Sequence, residues 1–294
     1  MPHEAASGEA RAALVEVREV QSRFGIIGRS GEIELALACL RARRHLLLEG
    51  PVGVGKTVLA SAIARHLGRP LFRVDGDERY TEQKLTGWFD PPLVIQRGYS
   101  RESFVAGPVV RAMREGGILF VNELNRMPES VQNVLLPALD EGLVVIPMLE
   151  VIHSLDAFAV IATQNPKEFV ATTHLSEALR DRFEIIRLEY QTFDEEVRIV
   201  ARNTGVEDVD LLESAVAIAR ETRSHPLVKR GASVRAAISI VEIARALGGA
   251  DAVARAALVA LPTRIELREE ADESVDALIR DLISDTLAET RKKG

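Results

Sequence analysis

The stretch Gly50-Pro-Val-Gly-Val-Gly-Lys-Thr57 constrains this chain more than any other. Gly50, Gly55, Lys56 and Thr57 hold the fixed positions of a phosphate-binding loop, G-x-x-x-x-G-K-[ST]. Glycine at these places lets successive backbone N–H groups turn inward around a polyphosphate, because no Cβ blocks the required conformations. Pro51, Val52, Gly53 and Val54 complete the loop, and Val58 follows it. Lys56 supplies a point charge to the outer phosphates, and the Thr57 hydroxyl is placed to ligate Mg²⁺. The flanks agree. His45-Leu-Leu-Leu48 reads as a short buried strand and Val58 to Leu67 as a helix, so the loop joins a strand to a helix N-terminus, the usual anion site. The ligand this predicts is a nucleoside triphosphate.

The 294 residues suit one large domain or two modest ones. The net charge of -7 argues against broad attraction to nucleic acid, and aromatic residues at 4% leave little for base-stacking. Cys39 is the only cysteine, and the six histidines show no metal-ligand spacing. No run reaches the ~18 apolar residues of a membrane span. Met1-Pro-His-Glu-Ala-Ala lacks the basic and apolar segments of a signal peptide, so a cytoplasmic location is expected.

Along the chain, residues 9–20 fit a helix with Leu14, Val17 and Val20 on one side. Ser30 is the expected N-cap of a second, with Ile33, Leu37 and Leu40 inward. A strand is expected at Leu71-Phe-Arg-Val74. Residues 78–107, punctuated by glycine and proline, are expected to be irregular, and a long irregular segment is usually functional. Trp88 and Phe89 lie there, with simple packing as their plain explanation. Pro108 opens a helix that ends at Gly116-Gly117. Ile118-Leu-Phe-Val121 reads as a buried parallel strand ending in Asn122-Glu123. An acid at such a strand end faces the ligand edge of an open α/β sheet. There Glu123 is a candidate to take a proton from attacking water; a surface carboxylate closing the strand is the alternative. A helix from Pro128 to Gly142 follows, then a hairpin, Leu143-Val-Val-Ile146 with Leu149-Glu-Val-Ile152. The next strand, Phe158 to Ala162, runs into Thr163-Gln-Asn-Pro166, where Asn165 is a candidate to orient water or γ-phosphate. A short helix with Arg180 and Arg182 leads to a fifth strand, Ile185-Ile-Arg-Leu188. Past Tyr190 the strand runs stop and amphipathic helices follow. Ser233 caps one of them. Its first turn carries Arg235, where a cation gains nothing from the helix dipole; that misfit points to a partner such as phosphate.

In this order the elements resemble an AAA+ ATPase, and more narrowly the MoxR family. The resemblance rests on Phe24-Gly-Ile-Ile-Gly-Arg29, Leu46 to Thr57, Gly117-Ile-Leu-Phe-Val-Asn-Glu-Leu-Asn-Arg126, Ala162-Thr-Gln-Asn-Pro166, Leu175-Ser-Glu-Ala-Leu-Arg-Asp-Arg-Phe183 and Gly231-Ala-Ser-Val-Arg235. It implies an α/β P-loop core, a five-stranded parallel sheet flanked by helices over 1–190, and a smaller all-helical lid over 191–294. It also implies ATP hydrolysis with Mg²⁺. By the same resemblance Glu123 is the catalytic glutamate of the second Walker motif and Asn165 the sensor. Arg182 is the arginine finger reaching a neighbour's ATP, and Arg235 the lid arginine reporting the γ-phosphate. The segment 81–107 corresponds to an insert, and 143–152 to the hairpin before the sensor strand. The family forms rings, usually hexamers, and is thought to remodel partner proteins, often ones with von Willebrand A domains or metal cofactors.

One position departs. The family normally has aspartate before the glutamate and this chain has Asn122, a position that helps to hold Mg²⁺ with Thr57. Two readings therefore stand side by side: a ring ATPase that remodels a partner, and an ATP-gated scaffold that hydrolyses slowly or not at all. A DNA-translocating protein fits the acidic balance less well.

Overall fold

The computed structural model describes residues 2–166, 175–270 and 274–293. The chain divides into two compact units, Met1–Pro51 with Gly55–Glu189, and Val52–Val54 with Tyr190–Gly294.

The first unit opens with α1 (Pro2–Phe24) and α2 (Ser30–Arg41). Val17 and Val20 of α1 are buried, but Leu14 is 54% exposed. A spacing of three falls short of the 3.6-residue turn, so Leu14 drifts off the buried face. Ser30 is not the cap of α2 but its first residue. Arg29 stands at the cap in a left-handed conformation, φ 65°, with no side-chain cap. The expected inner face of α2, Ile33, Leu37 and Leu40, is buried.

Next come β1 (His45–Glu49), α3 (Lys56–His66) and β2 (Leu71–Asp75). Residues 78–107 are not irregular: they form α4 (Glu82–Thr86), β3 (Gly87–Phe89), α5 (Pro91–Arg97) and β4 (Phe104–Ala106). The side chains of Thr81 and Asp90 cap α4 and α5, accepting the N–H of Lys84 and Leu93, while β3 and β4 pair antiparallel. Phe89 packs against Tyr99 and Phe104, with ring centroids at 4.9 and 5.2 Å; Trp88 is 44% exposed.

After α6 (Pro108–Glu115) and β5 (Ile118–Asn122), the expected single helix is two, α7 (Glu129–Asn133) and α8 (Leu135–Asp140). Pro137 has no N–H for the carbonyl of Asn133, and α7 ends at that residue. The hairpin β6 (Leu143–Ile146) and β7 (Glu150–His153), β8 (Ala159–Gln164), α9 (Glu177–Arg180) and β9 (Phe183–Arg187) complete the unit.

Five strands form one parallel sheet in the order β2-β5-β8-β1-β9. Ile118, Leu119, Phe120 and Val121 are all fully buried, which explains why β5 reads as a continuous apolar run. Because the strands are parallel, their carboxyl ends, at Glu49, Asp75, Asn122, Gln164 and Arg187, lie along one edge.

The second unit contains α10 (Phe193–Thr204), α11 (Val209–Ser224), β10 (Val228–Arg230), α12 (Val234–Ala246), α13 (Val253–Ala260), β11 (Glu266–Leu267) and α14 (Val275–Lys293). Its helices enclose their own core, with Val200, Ile218, Ile240, Val253 and Ile279 inside. Within this helical unit β10 and β11 pair as a small antiparallel ribbon, too short for any apolar period to foretell. Among the described residues no helix is long and apolar enough to cross a membrane.

Candidate functional site

At the end of β1 the chain leaves the sheet through the glycine loop. Gly50, Gly53 and Gly55 take φ of 156°, 82° and 93°, values that suit glycine. Gly55 caps α3, whose first residues are Lys56 and Thr57. The loop is tied to the next strand, since the N–H of Gly50 donates to the carbonyl of Gln164 at 3.4 Å. Lys56 Nζ donates to the carbonyls of Gly50 and Pro51 at 2.7 and 2.8 Å, which holds the ammonium against the loop.

A polyphosphate with Mg²⁺ fits these residues. Nothing stands within 4 Å of where a Cβ on Gly55 would be, so there is room beside the first residue of the helix. Thr57 Oγ1 and Asn122 Oδ1 are oxygen donors of the kind Mg²⁺ takes, and they lie 3.4 Å apart.

Asn122 ends β5, beside Asp75 of β2 in register. Its Oδ1 accepts from Thr57 Oγ1 and, at 3.1 Å, from Thr163 Oγ1, while its Nδ2 donates to Asp75 Oδ1 at 3.0 Å. Arg73 grips the same carboxylate, with Nη2 2.7 Å from Oδ1 and Nε 3.0 Å from Oδ2. The Asp75 carboxyl is held below its ordinary range by Arg73 and, more weakly, by the Asn122 amide.

Glu123 follows in a left-handed conformation, φ 56°, uncommon for glutamate. Its N–H donates to Thr163 Oγ1 at 2.9 Å, and its carboxylate meets Arg126 Nε at 3.0 Å. Asn165 comes directly after β8 and is 6% exposed. Since β8 lies between β5 and β1, Asn165 leaves the sheet between Glu123 and the loop. Beside it, Gln164 donates to Glu49, which also pairs with Arg187 at 3.4 Å.

The structure thus gathers Gly50, Gly55, Lys56, Thr57, Asn122, Glu123 and Asn165 on one sheet edge. It does not bring Arg182 there. Phe183 is in register with His45 at the start of β1, so Arg182 sits at the opposite edge, about 16 Å of strand away. There its guanidinium grips Asp140, Nε to Oδ1 at 2.7 Å and Nη2 to Oδ2 at 2.9 Å, and Nη1 donates to the carbonyl of Ala178. Arg235 belongs to the second unit, exposed in the first turn of α12, and Ser233 stands at that cap without a side-chain bond.

Two site residues were not foreseen from sequence. Thr163, fully buried, joins the ends of β5 and β8. Asp75 carries the same signal that singles out Glu123, an acid at the end of a parallel strand.

Residues 45–183 match the family model described as AAA domain (dynein-related subfamily). The uncharacterized protein YeaC of Bacillus subtilis (strain 168) is 28% identical over 298 residues, covering 88% of this chain and 90% of that protein. YojN of the same organism is 29% identical, with 77% of each chain covered. Among solved structures, a candidate ATPase from Cytophaga hutchinsonii shares 22% identity at a TM-score of 0.53, covering 97% of this chain and 98% of its own. RuvB of Thermotoga maritima, a Holliday junction branch migration motor, shares 21% identity at a TM-score of 0.51, over 79% of this chain and 70% of that one. The solved structures establish the fold, an α/β P-loop core of the AAA+ kind followed by a helical region. The domain match supports an AAA+ ATPase.

Proposed function

We propose that this chain is a MoxR-type AAA+ ATPase, which binds and hydrolyses ATP in a ring, as a hexamer, to remodel or activate a partner protein. The observation that carries the reading is the hydrogen-bonded chain Thr57–Asn122–Thr163–Glu123. It couples the phosphate loop to the strand end bearing the candidate base. Gly50 to Val58 enclose the phosphates, and Lys56 leaves its loop carbonyls for their outer oxygens. Thr57 would hold Mg²⁺ directly and Asn122 would hold it through the Thr57 hydroxyl or a bound water, and the ion would supply positive charge against the phosphates. Glu123 takes the proton of the attacking water. Asn165 orients that water or the γ-phosphate, Arg182 of a neighbouring subunit meets the charge that develops, and Arg235 reports the γ-phosphate to the lid. The partner is a client protein, of the von Willebrand A kind in this reading.

A second reading is supported by a specific observation. Asn122 brings no charge to the metal and Glu123 is engaged by Arg126, as in an ATP-gated scaffold with slow turnover. Steady-state phosphate release with Mg²⁺, for wild type and Glu123→Gln, separates the two. Turnover that Glu123→Gln abolishes supports the ATPase; ATP-dependent assembly with no release above that variant supports the scaffold.

A further inference from the structure

Asn122 is neutral where the resemblance leads one to expect a carboxylate, yet a carboxylate stands next to it. Asp75 occupies the same register position on the adjacent strand, and its Oδ1 accepts from Asn122 Nδ2 at 3.0 Å. The two strand ends are closed against each other. The N–H of Gly76 donates to the Asn122 carbonyl at 2.7 Å, and a Cβ on Gly76 would come within 2.1 Å of the Glu123 carbonyl oxygen. The backbone therefore fixes which two residues stand side by side, and their side chains make the bond.

We propose that Asp75 is the positioning residue of the metal site: paired with Arg73 and fixed by it, the Asp75 carboxylate locks the Asn122 amide with Oδ1 toward Thr57. This rests on reading the loop and Thr57 as the Mg²⁺–ATP site.

The chemistry of the amide requires such a partner. Asn122 has two faces, and the Thr57 and Thr163 hydroxyls can serve either, since each both donates and accepts. The Asp75 carboxylate only accepts, so the flipped amide would set oxygen against oxygen there. Asp75 alone decides the orientation. A threonine hydroxyl that lends a lone pair to Mg²⁺ keeps its proton for a nearby acceptor, and Asn122 Oδ1 is that acceptor. Hydrogen bonding from Nδ2 to a carboxylate draws electron density toward Oδ1 and strengthens it in that role.

The arrangement also reverses the obvious expectation for Asn122→Asp. The new carboxylate would lie about 3 Å from Asp75 Oδ1, and the two would repel. The exchange pair Asp75→Asn with Asn122→Asp restores one acid and one amide, with the charge now at residue 122.

The test is the affinity of the full chain for ATP by titration calorimetry, in Mg²⁺ and in EDTA, read as the ratio of the two. Asp75→Ala is expected to keep the metal-free affinity within about threefold and to lose ~10-fold or more of the Mg²⁺ gain. Asp75→Asn, which keeps the size of the side chain, is expected to lose part of it. The exchange pair is expected to equal or exceed wild type, and Asn122→Asp alone to fall below the pair. An undiminished Mg²⁺ gain in Asp75→Ala overturns the proposal, as does an Asn122→Asp single variant that matches the pair. A wild-type chain that binds no ATP in either buffer overturns the reading of the loop itself, and the role of Asp75 with it.

Discussion

Glu123 stands in a left-handed conformation that costs a residue of its kind about 1–3 kcal/mol. What holds it is specific: Thr163 Oγ1 takes its N–H and donates in turn to Asn122 Oδ1. Thr163→Val keeps the shape but strips both bonds, leaving the Glu123 N–H unmatched. Urea unfolding should show a loss of about 1–3 kcal/mol, and phosphate release should fall with it. Wild-type stability in the valine variant would mean that the backbone is held by something else. Glu123→Gln should keep ATP affinity and lose turnover, because an amide cannot take a proton from water; release at the wild-type rate would remove Glu123 as the base. Lys56→Ala should abolish tight ATP binding. The placement of Glu123 and Lys56 at the sheet edge is legible in the sequence because each belongs to a motif with fixed neighbours along the chain. Thr163 is not, because its meaning comes from which strand lies beside which, a relation no local spacing records; Asp75 shows in the sequence as an acid at a strand end, but its pairing with Asn122 depends on that same relation.

Among the elements, the start of β1 carries a titratable group inside the sheet. The N–H of Val160 donates to His45 Nδ1 at 3.1 Å, so the ring proton sits on Nε2, 3.3 Å from the Leu139 carbonyl oxygen. Burial pushes the His45 pKa below its ordinary value, with Arg44 adding to the effect. The sign follows. As pH falls from about 6.5, the unfolded chain takes up this proton before the folded one, so the stability from neutral His45 is full above that pH and is lost as pH falls through the folded value. Urea midpoints between pH 8 and 5 should decline below about 6.5, and His45→Gln should start lower and decline less steeply. Identical slopes would clear His45. The parallel strands were legible because burial on both faces makes them continuous apolar runs, as in Ile118–Val121. In the segment 78–107 glycine and proline mark the ends of short elements and not an irregular run. The capping signals at Thr81 and Asp90, the latter followed by two prolines, were the better guide. Pro137 likewise split a helix that apolar spacing alone would join.

At the scale of the whole molecule, the proposed reading needs, beside Lys56, a second cation, Arg182, that the core does not place at its own loop. Arg182 precedes β9 at the edge of the sheet where β1 begins, while the loop leaves from the edge where β1 ends. Arg182 is held in its own chain by Asp140, whose carboxyl it keeps below the usual range. In the proposed reading this guanidinium would serve a neighbour's ATP across a subunit boundary, after leaving Asp140, where such a group is worth ~10³-fold or more in rate. Arg182→Ala and Lys56→Ala should therefore each be inactive alone. Mixed in equal amounts they should regain turnover, because roughly a quarter of the interfaces in a head-to-tail ring then join an intact loop to an intact arginine. The measurement is phosphate release from the mixture, with mixed rings verified by pull-down through a tag on one variant. Mixed rings that stay silent would mean that the arginine does not act in trans. The Asp140 pair would then be the whole role of Arg182, a clasp between α8 and the start of β9.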